Sequence, residues 1–307
     1  MKKIVFVLWM VFSLTLAHAS GVSPAFPGIK TVFVIVEENA NWDDVNPTDM
    51  PYLWGTLLPM GGYAKEYYNP PGMHPSEPNY IWIEAGNNLG LTTDAPPSPS
   101  HSIKSKNHLV TRLDKAGISW RSYQEDISGL DCPLSRTGEY VPKHNPFVYF
   151  RDVTNNNNSS SAYCIAHVRP MTELAKDLEN NTTARYNFLT PNLCHDMHNT
   201  CSPNINRERM GDDWLKKMLP KIMDSQAYKD GGAIFITWDE GEGLDAANKF
   251  IDGPIGMIIL SPLAKKNYSN SIHYTHSSLL RTLQEIFGIK PLMRDAASAT
   301  SLRDFFI

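Results

Sequence analysis

The strongest constraint on this chain is a pair of unbroken apolar runs that each end in acidic residues. Residues 31–36 (TVFVIV) pass straight into Glu37-Glu38-Asn39, and residues 233–237 (AIFIT) pass through Trp238 into Asp239-Glu240-Gly241. Short runs of β-branched and aromatic residues without alternation mark strands buried on both faces. Residues 255–260 (IGMIIL) form a third such run, and residues 186–189 (YNFL) and 118–123 (ISWRSY) are weaker ones. Helical patterns fall between them. In His276–Phe287 the side chains of Leu279, Leu280, Leu283, Ile286 and Phe287 share one face, and Gly288 follows at the position of a C-terminal cap. Residues 214–223 and 107–116 read the same way. Strands alternating with helices predict an α/β fold, a mostly parallel sheet flanked by helices. No internal repeat or linker splits it.

Residues 125–169 break this rhythm with two cysteines, three prolines and the polar tract 155–161. They predict an irregular insertion, pinned by a disulfide and lying near the site or over it. The amino terminus constrains the compartment. Lys2 and Lys3 precede an apolar stretch over residues 4–16, and Ala17-His18-Ala19 supplies small residues for cleavage. Residues 1–19 thus read as a signal peptide and residues 20–307 as a single catalytic domain, exported to the periplasm or beyond. The apolar stretch is short for a bilayer span, so stable membrane insertion is not expected. Removing Lys2 and Lys3 takes the formal charge from −4 to −6, and no basic patch suited to nucleic acid stands out. Four cysteines in an exported chain read first as disulfides, paired by neighbourhood as Cys132–Cys164 and Cys194–Cys201. A zinc site is the alternative, without CxxC spacing to support it.

Ligands of parallel α/β sheets gather beyond the carboxyl ends of the strands. Three strand ends deliver chemistry there. Glu38 and Asn39 follow the first run, Asp239 and Glu240 follow the fourth, and residues 186–189 lead to His195-Asp196-Met197-His198. Converging carboxylates repel, and a divalent cation of unknown identity resolves that conflict. Taken singly, an acidic pair after a strand is more often a helix cap or a solvated loop, and His276 reads equally as a satisfied helix histidine. The nucleophile candidate is Ser76, in HPSEPNY at residues 74–80. A helix starting here would offer N–H groups and its positive dipole end to a phosphate. A plain N-cap serine is the competing reading.

Five blocks in order resemble one family: VIVEENANW at 34–42, HPSEPNY at 74–80, LTPNLCHDMH at 189–198, FITWDEG at 235–241 and HYTHSSLLRT at 273–282. The chain resembles the phosphoesterases that include secreted acid phosphatases and phospholipases C, with a core similar to alkaline phosphatase. KHNPF at 143–147 also resembles a segment of the smaller phosphatases. The resemblance implies hydrolysis of phosphate monoesters through a phosphoserine on Ser76. It implies metal-binding roles for Glu38, Asn39, Asp239 and Glu240, with Asp196 at a second metal or phosphate group. It places His198 and His276 as acids for the leaving alcohol, and Asn79, Asn88 and His144 toward the phosphoryl oxygens. Position 240 departs from two-zinc relatives, which often carry histidine there. The expected substrate is a small phosphate ester, with a phosphoinositide or phospholipid headgroup within the class. A phospholipase-like diesterase and a non-catalytic metal-dependent binding protein are the alternatives. The CxPxR-type motif of sulfatases is absent.

Overall fold

The computed structural model describes residues 26, 28–244, 247 and 249–307; the expected signal peptide, residues 1–19, lies outside them. In chain order the strands are β1 Thr31–Glu37, β2 Gly62–Ala64, β3 Tyr67–Tyr68, β4 Trp120–Gln124, β5 Val168–Pro170, β6 Tyr186–Thr190, β7 Gly232–Trp238, β8 Met257–Leu260, β9 Tyr268–Asn270 and β10 Tyr274–Thr275. The helices are α1 Leu58–Met60, α2 Ser76–Ala85, α3 Leu109–Lys115, α4 Arg151–Thr154, α5 Ala162–His167, α6 Thr172–Glu179, α7 Arg207–Asp224, α8 Gln226–Lys229 and α9 His276–Phe287.

Eight strands form one sheet in the order β5-β4-β6-β1-β7-β8-β2-β9, and β3 pairs with β10 apart from it. From β5 to β7 every pairing is parallel, and only β8 runs against its neighbours. The all-apolar runs sit where double-sided burial demands them, since every residue of β6, β7 and β8 is buried. The run at 255–260 yields a strand only from Met257, because Gly256 turns the chain at φ +81°. A Cβ at Gly256 would collide with the Trp42 ring. Helix α9 buries Leu279, Leu280 and Leu283 and ends at Gly288 in the left-handed conformation. It packs against α2 and α3, while α6 packs against α7.

The segment 125–169 is irregular, as expected: two short helices, two 3-10 turns and loops, tied by Cys132–Cys164. The second disulfide is Cys194–Cys201, so both neighbour pairings hold and no thiolate is left for zinc. Among the described residues, no helix is long and apolar enough to cross a membrane.

Candidate active site

Strand register creates the acidic centre. Glu37 on β1 lies opposite Trp238 on β7, so the next residues, Glu38 and Asp239, leave the sheet side by side. Asn39 turns there at φ +46° and its N–H donates to Asp239 Oδ1 at 3.3 Å. The Glu38 N–H donates to the Asp196 carbonyl at 2.6 Å, drawing in the loop after β6, which neighbours β1 on the other side.

Ser76 opens α2, with Pro75 in the cap position, so its hydroxyl does not cap the helix. It donates instead to Glu38 Oε2 at 3.1 Å. The N-cap reading is thereby corrected: the proline took the cap and freed the serine. The positive end of α2 faces the acidic centre.

The insertion reaches in with Lys143 and His144, on a 3-10 turn spanning Pro142–His144. His144 Nδ1 donates to Asp196 Oδ2 at 2.9 Å, while Nε2 lies 3.0 Å from Glu38 Oε1. The ring stacks on Tyr80 at 5.3 Å between centroids. Lys143 Nζ is 3.4 Å from Ser76 Oγ, 3.2 Å from His198 Nε2 and 3.0 Å from Asp94 Oδ2. An ammonium only donates, so His198 Nε2 accepts, and Nδ1–H is left to donate to Asn199 Oδ1 at 2.8 Å.

The charges do not balance without help. Burial pushes Asp239 well above the usual carboxylate range, and Glu38 and Glu240 push it further. Burial alone would raise Glu38 too, but His144, Lys143 and His198 outweigh it and hold that carboxyl down. Burial opposes protonation of His144, yet Glu38 and Asp196 raise it to about 9. Glu38 Oε1, Asp239 Oδ2, Asn79 Oδ1 and His144 Nε2 are all buried without a hydrogen-bond partner in line. Buried oxygens and imidazoles left in that state match the donor set of a divalent cation. Ligand atoms of Glu38, His144 and His198 lie within 4.8 Å of one another. The residues present therefore fit a metal.

Other expected residues are placed differently. Glu240 turns partly aside: Asn79 Nδ2 donates to its Oε2 at 2.9 Å, and His74 Nδ1 lies 2.9 Å from the same oxygen. His74 also pairs with Asp252 at 2.6 Å. Asp196 serves His144 and the His198 N–H, at 2.9 Å each, so both of its oxygens are engaged. His276 is fully buried, with Nε2 2.6 Å from the Asp239 carbonyl and Nδ1 3.1 Å from Tyr67 Oη. Both its nitrogens are occupied and burial lowers it to about 4, so it props the Asp239 loop and does not reach a leaving group. Asn88 lies beyond the far end of α2 and donates to the Leu91 carbonyl. The helix carries it roughly 15 Å from Ser76, at about 1.5 Å per residue, and removes it from the site. Lys143 and Asp94 escaped sequence reasoning. Lys143 was signalled only by the KHNPF block, and nothing local marked Asp94.

The fold is alkaline-phosphatase-like. A solved member of the alkaline phosphatase superfamily from Vibrio parahaemolyticus superposes with TM-score 0.55 at 13% identity, covering 89% of this chain and 71% of that one. Residues 47–290 match the Phosphoesterase family, and the chain belongs to it. It is 28% identical over 280 residues to a probable acid phosphatase of Kluyveromyces lactis, across 89% of this chain and 62% of that protein. It is 25% identical over 282 residues to a phosphatidylinositol-3-phosphatase of Mycobacterium tuberculosis, across 92% and 84%. The chain spans about half to three-fifths of the length of the fungal acid phosphatases it matches.

Proposed function

We propose that this chain is an exported, metal-dependent phosphomonoesterase of the acid phosphatase type, with residues 20–307 as one catalytic domain. The carrying observation is the Ser76 hydroxyl at the head of α2, 3.1 Å from Glu38 Oε2 and 3.4 Å from Lys143 Nζ. Glu38, Asn39 and Asp239 would hold the cation, with Glu240 or the His144 ring completing the set. When bound, it would supply charge that lowers the pKa of the serine hydroxyl and stabilises the charge developing on the ester oxygens.

The chain's own groups account for the rest. Ser76 Oγ forms a bond to phosphorus as the bond to the leaving alcohol breaks, and water later cleaves the phosphoserine. Lys143 holds the phosphoryl oxygens at the positive end of α2, while Asn79 fixes Glu240. The Ser76 proton passes to Glu38 Oε2, which accepts its hydrogen bond, and the leaving alcohol takes a proton from the Lys143 ammonium through His198 Nε2. The leader pattern and the two disulfides support export.

The test is phosphate release from monoesters, diesters and a phosphoinositide, with and without chelator and metal add-back. Release from monoesters that stops with chelator and returns with a divalent ion is expected. Full activity in excess chelator, or no release with any metal, would sink the reading.

A further inference from the structure

Asp94 lies in the segment between α2 and α3, and its two oxygens join two parts of the site. Oδ1 accepts the Glu77 N–H at 2.9 Å, one residue beyond Ser76 in the first turn of α2. Oδ2 lies 3.0 Å from Nζ of Lys143, which sits on the irregular insertion. A helix head leaves its first N–H groups without partners inside the helix. Here Pro75 and Pro78 bring none, so those of Ser76 and Glu77 remain. Glu77 is buried, its N–H needs a partner, and Asp94 provides one from a remote loop. A single carboxylate thus ties the Lys143 head group to the backbone beside the nucleophile.

An ammonium has three N–H donors and no acceptor. Those of Lys143 meet three acceptors: Asp94 Oδ2 at 3.0 Å, His198 Nε2 at 3.2 Å and Ser76 Oγ at 3.4 Å. With two donors anchored, the third is directed at Ser76 Oγ. The lysine stem is flexible, so its charge alone does not fix where the head group sits. Resting on the phosphomonoesterase reading, we propose that Asp94 is a positioning residue. It holds the Lys143 ammonium against Ser76 and acts on the reaction only through that lysine. The same carboxylate, placed beside an anion site, repels the phosphate the site receives. Removing its charge therefore has two separable effects: turnover falls as the ammonium loses its place, and phosphate binds no more weakly.

The test compares the full chain with Asp94→Asn, Asp94→Ala, Lys143→Ala and the double variant Asp94→Asn/Lys143→Ala, all with the same divalent ion added. Each is measured for kcat on phenyl phosphate, for affinity toward inorganic phosphate by calorimetry, and for Tm. Asparagine keeps one acceptor for the Glu77 N–H and turns an NH2, which cannot accept, toward Lys143. Asp94→Asn is expected to lower kcat by about tenfold, with Tm near the parent's and phosphate bound at least as tightly. Asp94→Ala should give a similar kcat but a lower Tm, because the Glu77 N–H loses its acceptor as well. In the Lys143→Ala background, Asp94→Asn should cause no further fall in kcat. A kcat for Asp94→Asn within about twofold of the parent overturns the proposal. So does a further tenfold fall in the Lys143→Ala background, or weaker phosphate binding that accompanies a lowered Tm. No release by the parent chain removes the phosphomonoesterase reading and this role together. Release by the parent with any of the three overturning results removes the role of Asp94 alone.

Discussion

Helix α2 joins two sites built from the same residue types. At its head, His144 lies between Glu38 and Asp196, and just beyond its tail, His108 lies between Glu84 and Asp152. His108 is closed on every side. Its Nδ1 meets Glu84 Oε1 at 2.9 Å, its Nε2 meets both Asp152 oxygens at 3.2 Å and Thr111 Oγ1 at 2.8 Å, and its ring stacks on Phe150. Glu84 Oε1 also accepts the Val110 N–H, so α3 is tied to α2. His144 instead leaves Nε2 out of line with Glu38, and ligand atoms of His144, Glu38 and His198 lie within 4.8 Å of one another. The two triplets thus differ at the histidine: both ring nitrogens of His108 are engaged in line, and Nε2 of His144 is not, although Glu84 Oε2 is also left without a partner. Composition does not separate the two; the engagement of the histidine ring does.

Four experiments press on that contrast. The largest effect is expected from Ser76→Ala, which should lower kcat by about ten-thousandfold or more with Tm nearly unchanged. Activity within about tenfold of the parent would remove Ser76 as nucleophile. Next, Glu84→Gln should reverse the pattern. Breaking the closed triplet should cost about 3 kcal/mol in a denaturant titration, while kcat stays within about threefold. A collapse of kcat with stability intact would show that the tail triplet is coupled to chemistry. Third, Lys143→Ala should reduce kcat/KM by about a hundredfold, as for removal of one donor to a developing oxyanion. Equal loss of stability and activity would make Lys143 a mere neutraliser of the acidic centre.

The smallest effect is a pH dependence. Burial opposes protonation of His108, but Asp152 and Glu84 outweigh it and raise its pKa. That stabilisation is complete below the unfolded value of about 6.5 and is lost as pH rises through the folded one. As pH rises above about 6.5 the parent should therefore lose more stability than Glu84→Gln. Parallel stability curves for the two would remove the charged form of His108 from the account.

Much of the centre was legible because strand ends are local features. Glu38 and Asp239 each follow a run whose burial is written in its residue types, and β1 and β7 prove to be neighbours. Ser76 was legible from the prolines beside it, although its hydroxyl's target was not. Asn88 and His276 misled for opposite reasons. Asn88 is close to Ser76 in sequence, but a helix converts that proximity into distance. His276 does approach the site, but its ring nitrogens are consumed by the Asp239 carbonyl and Tyr67.

By itself the sequence determined the elements and the local closures: the buried strands, the apolar face of α9 with Gly288 at its end, and cysteines paired with their neighbours. Each depends on residues within one element or a short loop, where periodicity and backbone preference suffice. The tertiary structure alone decided that Lys143 meets Ser76, that Asp94 meets Lys143, and that His144 keeps one ring nitrogen out of line while His108 has both engaged. Those contacts join residues far apart in the chain. The order β6-β1-β7 and the packing of the irregular insertion on α2 set their distances, and no local pattern encodes either one.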